Sequence, residues 1–248
     1  MLTWFKTDLH VHTCLSPCAD LTMSPRKIVA EAARRGIGII AVTDHNSAGN
    51  TQAVMSAAKG TPVTVLPGME ICTQEEVHVL ALFATPGSAL QMEALVFAHL
   101  DGTNEPELFG IQVIANELDE VEGFEERLLI GATDLSLEQV VDAIHRLGGL
   151  AVASHIDRER NGVIGQLGFI PEMLLFDAVE ISRHLSPDEE DRLFRGGRRF
   201  PVIRNSDAHA LDRLGTESTE YLLGAPTLPE IRMALRQEEG RRAGTIAE

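Results

Sequence analysis

The chain has 248 residues, 44% of them hydrophobic and 23% charged, so it is long enough to bury a large core and is not a disordered chain. Its 37 acidic residues against 21 Lys and Arg give a formal net charge of −16. A field of that sign repels phosphate backbones and argues against a general binder of long nucleic acid. Bound divalent cations would offset part of this charge.

The three cysteines are Cys14, Cys18 and Cys72. An odd and small number of cysteines is typical of a reducing compartment. The sequence shows neither a signal-peptide pattern at its start nor an apolar run as long as a membrane span. We therefore expect a cytoplasmic protein with no membrane partner, of an oligomeric state that the sequence does not indicate.

Short apolar runs alternate with helical patterns along the chain. The helical patterns lie at 24–35 and 136–147, and the apolar runs at 36–42, 62–66, 77–83, 150–153, 178–181 and 201–203. This rhythm is typical of parallel strands and favours an α/β barrel or an open doubly wound sheet.

No repeat and no linker divides the chain, so we expect one domain over residues 1–248. The least regular stretch, 101–133, contains an acidic run at 117–126. We expect it to be a helical insertion over the barrel with a solvated face; a lid or a dimer contact is the alternative.

Two pairs of polar residues share the same spacing. His10 and His12 stand at i and i+2 in an extended segment, which points both imidazoles to one side. Asp207 and His209 repeat this spacing shortly after the run at 201–203. Neighbouring neutral imidazoles suit a borderline divalent cation, so the two pairs predict a metal site.

Further ligand-type residues stand at or near the ends of predicted strands. His45 follows the run at 36–42, Glu70 follows the run at 62–66, His78 lies in the run at 77–83, and His155 follows the run at 150–153. Reacting groups converge at the carboxyl ends of strands in parallel α/β sheets and barrels, so we expect these side chains to meet.

The motifs together resemble those of the PHP (polymerase and histidinol phosphatase) family. In chain order they are 8–13 (DLHVHT), Asp20, 43–45 (TDH), 68–70 (GME), His78, 154–155 (SH) and 206–209 (SDAH). The resemblance implies a distorted (β/α)7 TIM-like barrel whose C-terminal face holds two or three divalent metal ions, and it implies a metal-dependent phosphoesterase.

The resemblance also implies how the ligands are shared among the ions. His10, His12, Glu70 and Asp207 would bind a first ion. Glu70 would bridge to a second ion held by His78 and His155, and a third would take Asp20, His45 and His209. Nitrogen and oxygen ligation favours manganese, iron or zinc, and the sequence does not choose among them.

The segment after the His-x-His pair departs from the family pattern, which often has Ser-Asp-Gly there. Cys14 and Cys18 occupy this segment, and either they pack as small apolar groups, which is the expectation, or they lie close to the site. An iron–sulfur loop is rejected because Leu21 stands where a third thiol is needed. Asp8 and Asp44, beside ligand histidines, are expected to orient them.

A phosphoryl substrate needs positive charge beyond the metals. Arg158 and Arg160 follow His155, and His184 follows the run at 178–181; by resemblance, Arg158 is the first choice for the phosphate. The proton for the leaving group would come from His209, His184 or a water on a metal. The predicted catalytic residues are Glu70, Asp207, His209, Arg158 and His184.

The expected substrate is a small phosphate ester, a nucleotide or a short oligonucleotide end, and histidinol phosphate is open by resemblance alone. One alternative is hydrolysis of a C–N or C–O bond by a metal-activated water. Amidohydrolases of that kind commonly bridge their metals with a carboxylated lysine, and Glu70 argues against this. The other alternative is a non-catalytic metal-binding regulatory module, which lost ligands would indicate.

Overall fold

The computed structural model describes residues 1–171, 173–182, 187–194 and 200–244. Its helices are α1 (Pro25–Arg34), α2 (Thr51–Ala57), α3 (Pro86–Ala98), α4 (Pro106–Phe109), α5 (Leu137–Arg146), α6 (Val163–Leu167), α7 (Pro187–Leu193) and α8 (Leu228–Leu235). Its strands are β1 (Thr3–Val11), β2 (Ile39–Val42), β3 (Thr64–Cys72), β4 (His78–Leu82), β5 (Val113–Ala115), β6 (Val121–Phe124), β7 (Leu150–Ala153), β8 (Ala178–Glu180), β9 (Val202–Ile203), β10 (Thr219–Leu223) and β11 (Arg242–Gly244).

Nine strands of the described residues form one barrel-like sheet in the order β11-β10-β1-β2-β3-β4-β7-β8-β9. β1, β2 and β3 are mutually parallel, and so are β7, β8 and β9. The chain beyond β9 pairs with β1 through a parallel bridge between Val11 and Ala208. This bridge nearly closes the sheet at its carboxyl end, which confirms the expected α/β barrel class.

β4 differs from the expected parallel rhythm because it runs antiparallel to both of its neighbours, β3 and β7. Only five residues, 73–77, separate β3 from β4. A parallel connection needs a crossover of a dozen or more residues, so this short segment allows only a hairpin. The hairpin places the start of β4, and with it His78, beside the carboxyl end of β3.

The two predicted helices form with their expected boundaries to within a residue. α5 begins after Ser136, whose hydroxyl accepts the amide of Gln139 while the Gln139 side chain accepts the amide of Ser136. This capping box satisfies two amides that a helix start leaves unpaired. The 150–153 run forms β7 with identical ends.

Residues 101–133 do not form the helical insertion that we expected. They contain the one-turn α4 and an antiparallel pair, β5 and β6. The side chain of Asn116 accepts the amides of Leu118 and Glu120, and this stabilises a tight turn between the two strands. Asn favours turns over helices for this reason, because its side chain competes for backbone amides.

The core of the barrel is mainly aliphatic, in keeping with an aromatic content of only 4%. Leu9, Leu66, Leu80 and Val152 pack together inside the sheet, with Tyr221 as a fully buried aromatic residue. Within the described parts of the chain, none of the helices combines the length and the apolar character that a membrane crossing requires.

Candidate metal centre

Glu70 lies at the centre of a cluster of imidazoles at the carboxyl end of the barrel. The residue is 1% exposed. Its Oε1 lies 3.2 Å from Nε2 of His10, and its Oε2 lies 3.1 Å from Nδ1 of His45. Three other imidazoles approach the same carboxylate at 3.5, 3.1 and 3.2 Å: His12, His78 and His155.

The strand ends explain why residues so distant in sequence meet here. His10 and Glu70 lie near the ends of β1 and β3, while His45, His155 and Asp207 follow the ends of β2, β7 and β9. These strands are parallel within their two groups, so their carboxyl ends face the same side of the barrel. His78 reaches the same side from the first position of β4.

Two of these loop residues have left-handed backbones, with φ of 29° at His155 and 49° at Asp207. Residues other than glycine rarely adopt such angles, and they persist where surrounding structure holds them. The amide of His155 donates to Glu180, and the amide of Ala208 donates to the carbonyl of His10. These bonds hold the turns that bring both side chains into the cluster.

A first group of donor atoms comes from His10, His12, Glu70 and Asp207. The Nε2 atoms of His10 and His12 lie 3.2 Å apart. Oδ1 of Asp207 lies 3.1 Å from Nε2 of His10 and 3.2 Å from Nε2 of His12. Ligand atoms about 2.0–2.2 Å from a tetrahedral zinc ion lie about 3.4 Å from one another. The spacing in this group therefore fits a single divalent ion.

A second group of imidazoles also contacts Glu70. Nδ1 of His78 and Nε2 of His155 lie 3.1 and 3.2 Å from its Oε1. Both residues are buried, and Nδ1 of His78, which faces Glu70, makes no hydrogen bond. An unsatisfied buried polar atom is costly in a stable protein, and a bound ion would satisfy the atoms that face it.

A third group consists of His12, His45 and His209. Nδ1 of His209 donates to the backbone carbonyl of Asp207 at 2.9 Å, which leaves Nε2 as the ligand atom of that ring. The structure thus brings together eight of the nine ligands that the family resemblance implied.

Asp20, the remaining one, is not part of the cluster. Its side chain is exposed, and its carboxylate accepts the amide of Thr22 at 2.8 Å in a local turn. The backbone amide of Asp20 donates to the carbonyl of His209, so the residue is close to the site while its carboxylate is turned to solvent.

The two cysteines of this loop have different environments. Cys14 is 3% exposed and packs against Val113 and Ala115, as we expected of a small apolar group. The exposed Cys18 instead has His45 and His209 as hydrogen-bond partners of its thiol, and although partial burial opposes ionisation, these partners lower the pKa of the thiol to about 6. The expectation that both thiols only pack is therefore wrong for Cys18.

Glu180 orients His10, and the sequence analysis missed it. Both of its carboxylate oxygens lie 3.1 Å from Nδ1 of His10, and both residues are fully buried. The Nδ1 proton directed at Glu180 leaves Nε2 as the ligand atom. A glutamate at the end of the otherwise apolar run at 178–181 was the available signal.

Asp44 acts on His12 through an intervening serine. Ser16 donates to Asp44 at 2.7 Å and accepts the Nδ1 proton of His12 at 2.9 Å. Asp44 thus helps to fix the ring, although through Ser16. Asp8 hydrogen-bonds to no imidazole ring among the described residues; it accepts from Ser206 and from the amide of Gly215, which fixes the loop around Asp207.

Opposite charges in the cluster compensate one another and shift the pKa values of its imidazoles and carboxylates. Burial opposes protonation of His10, but the carboxylates of Asp207, Glu180 and Glu70 outweigh it and raise the pKa of His10 well above its usual range. Burial would raise the pKa of Glu70, but His78 and His10 hold it well below its usual range. The pKa of Asp207 is likewise held low by His10 and His12 against the effect of burial.

The imidazoles of the third group differ in basicity. Burial and the neighbouring His209 hold the pKa of His12 well below its usual range. Burial also disfavours charge on His45, but the contacts with Cys18 and Glu70 outweigh it and raise its pKa to about 10. Since metals bind neutral imidazoles, cation binding at this cluster displaces protons.

A cavity of about 280 Å³ opens onto the cluster. Arg158 and Arg160 line it, and Nη1 of Arg158 donates to Oδ2 of Asp207 at 2.6 Å. Ile130, from the 101–133 segment, forms part of the wall. Arg183 and His184 lie outside the described residues.

A larger cavity, of about 500 Å³, lies at the opposite end of the barrel. It is lined by residues that precede β7, β8 and β9, among them Gly149, Asp177 and Pro201. In the part of the chain that the structure describes, each of the three groups of side chains that could hold a metal ion has members at the smaller cavity. The candidate metal centre therefore lies at the carboxyl end.

The fold, the donor residues and the comparison with known proteins together define the class of this protein. A mixed α/β barrel with imidazole and carboxylate donors at its carboxyl end is typical of metal-binding barrel proteins. A sequence profile of the PHP domain matches residues 8–162, more than half of the chain. The chain therefore belongs to the PHP domain family, as its motifs indicated.

One curated relative is the 5'-3' exoribonuclease Rnm of Salmonella typhimurium, 28% identical over 202 residues. The match covers 61% of this chain and 65% of the relative, so the chain spans a little less than two thirds of that protein.

Two solved structures share the fold. The lesion-specific endonuclease PfuEndoQ of Pyrococcus furiosus has a TM-score of 0.73 at 18% identity, covering 97% of this chain and 58% of that one. A putative metal-dependent phosphoesterase of Bifidobacterium adolescentis has a TM-score of 0.59 at 18% identity, covering 94% and 96%.

Proposed function

We propose that this chain is a metal-dependent hydrolase of phosphoester bonds. The observation that carries the proposal is the convergence of imidazole and carboxylate donors on Glu70 beside a cavity with arginines at its rim. Membership of the PHP family supports the same class of reaction, and the relatives named as nucleases and as a phosphoesterase agree with it.

The residues fit two or three divalent ions. Glu70 has His10, His78 and His155 beside one oxygen and His12 and His45 beside the other, so its carboxylate would be shared by more than one ion. The donor set of nitrogen and oxygen suits manganese, iron or zinc. Such ions supply an activated water at neutral pH and neutralise charge on phosphoryl oxygens.

Within this proposal, the side chains of the protein position the metal ions and the substrate, and they neutralise charge on the phosphate. Glu70 and Asp207 would hold ions together with the buried imidazoles, and Glu180 and Ser16 would keep His10 and His12 in the tautomer that binds metal through Nε2. Arg158 faces the cavity and offers a planar guanidinium that can bind two phosphoryl oxygens at once. We assign it to the substrate phosphate.

The substrate that we propose is a small phosphate ester, a nucleotide or the end of a short oligonucleotide. A cavity of about 280 Å³ is slightly smaller than the usual pockets for small ligands, which are about 300–1,000 Å³. The net charge of −16 repels a long polyanion. The exoribonuclease name of the Salmonella relative supports a nucleic-acid end among these choices.

Three free cysteines agree with the cytoplasmic location expected from the sequence.

The test is product release by the manganese-loaded protein from a panel of mononucleotides, 3′,5′-bisphosphates, 5′-phosphorylated short oligonucleotides and sugar phosphates. We expect turnover of at least one class, and loss of turnover in His10→Ala and Asp207→Ala. His99→Ala is the matched control, because His99 pairs with the exposed Asp134 away from the cluster.

Absence of release from every ester, in protein whose metal content is measured and full, would contradict the proposal. Hydrolysis of C–N or C–O substrates under the same conditions would replace it with the amidohydrolase alternative. No turnover of either kind would leave a metal-binding regulatory module.

A further inference from the structure

Cys18 occupies a place in the cluster that a carboxylate was expected to fill. The loop that carries it docks onto the opposite side of the site, since the amide of Asp20 donates to the carbonyl of His209 at 2.8 Å. The amide of Ala19 donates to the carbonyl of Ser16, which closes a turn around residue 18. This turn directs the thiol of Cys18 to His45 and His209.

Asp20 does not compete for the same place. Its carboxylate accepts the amide of Thr22 and is exposed, although its own backbone is anchored to His209. Turning the carboxylate inward would cost the bond to Thr22. Of the two side chains in this loop, Cys18 is the one that faces the histidines.

The histidines beside this place are independently arranged to bind an ion. The side chain of His45 is 7% exposed and lies at the cavity; its Nδ1 lies 3.1 Å from Oε2 of Glu70 without forming a hydrogen bond, and an ion would satisfy it. Donor atoms of His12, His45 and His209 lie within 4.8 Å of one another. Nδ1 of His209 is committed to the carbonyl of Asp207, so its other nitrogen is available.

We propose that Cys18 is a thiolate ligand of a divalent metal ion that His45 and His209 bind with it. The inference deepens the proposed function and rests on its metal centre, because it assigns this third position a sulfur ligand instead of the aspartate. Thiolate and imidazole together select zinc, cobalt or iron over magnesium and calcium, which prefer oxygen. The cluster would therefore contain positions of different metal preference.

Cobalt(II) alone is the probe, because a cobalt–thiolate bond gives an intense near-ultraviolet charge-transfer band that nitrogen and oxygen ligands do not give. We expect the band in metal-free protein titrated with cobalt(II), and its loss in Cys18→Ser. Cys14→Ser and Cys72→Ser are matched controls that keep it, because both thiols are buried and donate to backbone carbonyls. Asp20→Asn is also expected to keep it.

Alkylation read by mass spectrometry gives a second measurement on the unmodified sequence. Cys18 is exposed in the metal-free chain, so iodoacetamide should modify it readily and zinc should protect it. Circular dichroism of Cys18→Ser verifies that the variant folds, and Cys18→Asp is expected to bind a third equivalent of metal without the band.

The outcomes separate this inference from the proposed function. Visible cobalt d–d bands without the charge-transfer band, or a band that persists in Cys18→Ser, overturn the role of Cys18 and leave the metal centre intact. Alkylation of Cys18 unaffected by saturating zinc has the same meaning. Absence of any cobalt spectrum would instead overturn the metal-dependent function itself, and the present inference with it.

Discussion

The carboxylate of Glu180 accepts from three donors, and one of them is Nδ1 of His10, which lies 3.1 Å from both oxygens. The other two are the side-chain amide of Asn205, at 2.7 Å, and the backbone amide of His155, at 3.1 Å. One buried group thus fixes a ring on β1, the turn after β7 and the segment after β9. Orientation of the cluster depends on residues that do not themselves bind metal.

Glu180→Gln is expected to lower metal affinity about 10- to 100-fold, the usual effect of losing a partner that orients a metal-binding histidine. An amide cannot accept from three donors, because its NH₂ group would face one of them. The measurement is competition with a chromogenic chelator. Glu93→Gln is the matched control: Glu93 also accepts two donors, Ser47 and the amide of Ala48, away from the cluster. Equal affinities of the two variants would refute the role of Glu180.

Ser16→Ala is expected to destabilise the protein by about 1–3 kcal/mol, because it leaves the buried Nδ1 of His12 without a partner and removes one of the hydrogen bonds to Asp44, which keeps those from Thr13. Urea unfolding of the metal-free protein measures this cost separately from any effect of metal. Ser24→Ala is the control, since the hydroxyl of Ser24 is also buried but makes no hydrogen bond. If the two variants unfold at the same urea concentration, the chain from Asp44 through Ser16 to His12 contributes nothing.

Arg158→Ala is expected to raise KM for a phosphate ester about tenfold or more, the value of one charge-assisted hydrogen bond. Arg158→Lys should recover only part of this, because an ammonium cannot bind two oxygens as a planar fork. Steady-state kinetics with the best substrate of the panel measures the effect. Arg146→Ala, on the exposed side of α5, is the control. An unchanged KM in Arg158→Ala would assign the phosphate to other residues.

The sequence located the candidate site residues that lie at or just after the ends of strands. Glu70, His155 and Asp207 are polar residues at or just after apolar runs, and the parallel strands β3, β7 and β9 bring them to one side, as parallel geometry requires. The direction of β4 was not recognised, because an apolar run of seven residues reads alike in either direction. The five-residue connection before it was the usable sign of a hairpin.

Side-chain direction within loops was beyond what spacing can reveal. Cys18 and Asp20 stand two residues apart, and which of them faces the cluster depends on the tertiary bond from the Asp20 amide to His209 and on the local bonds of the loop. Glu180 was missed because a strand that is buried on both faces does not alternate between apolar and polar residues. In such a strand the pattern assigns no role to a single carboxylate. The role of Glu180 follows only from its contact with His10 in the structure.

Glu31 should make a small contribution to stability that acid removes. Its carboxylate accepts from Arg34 and Arg35, and these bonds hold its pKa at about 2. A carboxyl with a lower pKa in the folded than in the unfolded state stabilises above its unfolded pKa, and the gain is lost as the pH falls from about 4.3 toward 2.

Glu31→Gln should therefore be less stable than the natural chain at neutral pH by at most about 1 kcal/mol, since the pair is near the surface. The difference should shrink below pH 4. Urea unfolding at several pH values measures it, with the exposed Glu107→Gln as control. A difference that grows in acid has the wrong sign for this pair.

Gly68 lies two residues before Glu70 in β3, where a side chain has no room. A Cβ there would lie 2.7 Å from the backbone carbonyl oxygen of Ala81 and 3.1 Å from Leu82. Ala81 belongs to β4, so relief requires the two strands to separate. Gly68→Ala is expected to cost about 1–3 kcal/mol of unfolding free energy, the usual cost of overpacking.

The same displacement should move Glu70 relative to the histidines, so metal affinity should fall together with stability in Gly68→Ala. Gly123→Ala is the matched control, since a Cβ at Gly123 in β6 would meet nothing within 4 Å. Urea unfolding and chelator competition on both variants measure the two effects. If Gly68→Ala loses stability but binds metal as the natural chain does, the position of Glu70 does not depend on the close approach of β3 and β4.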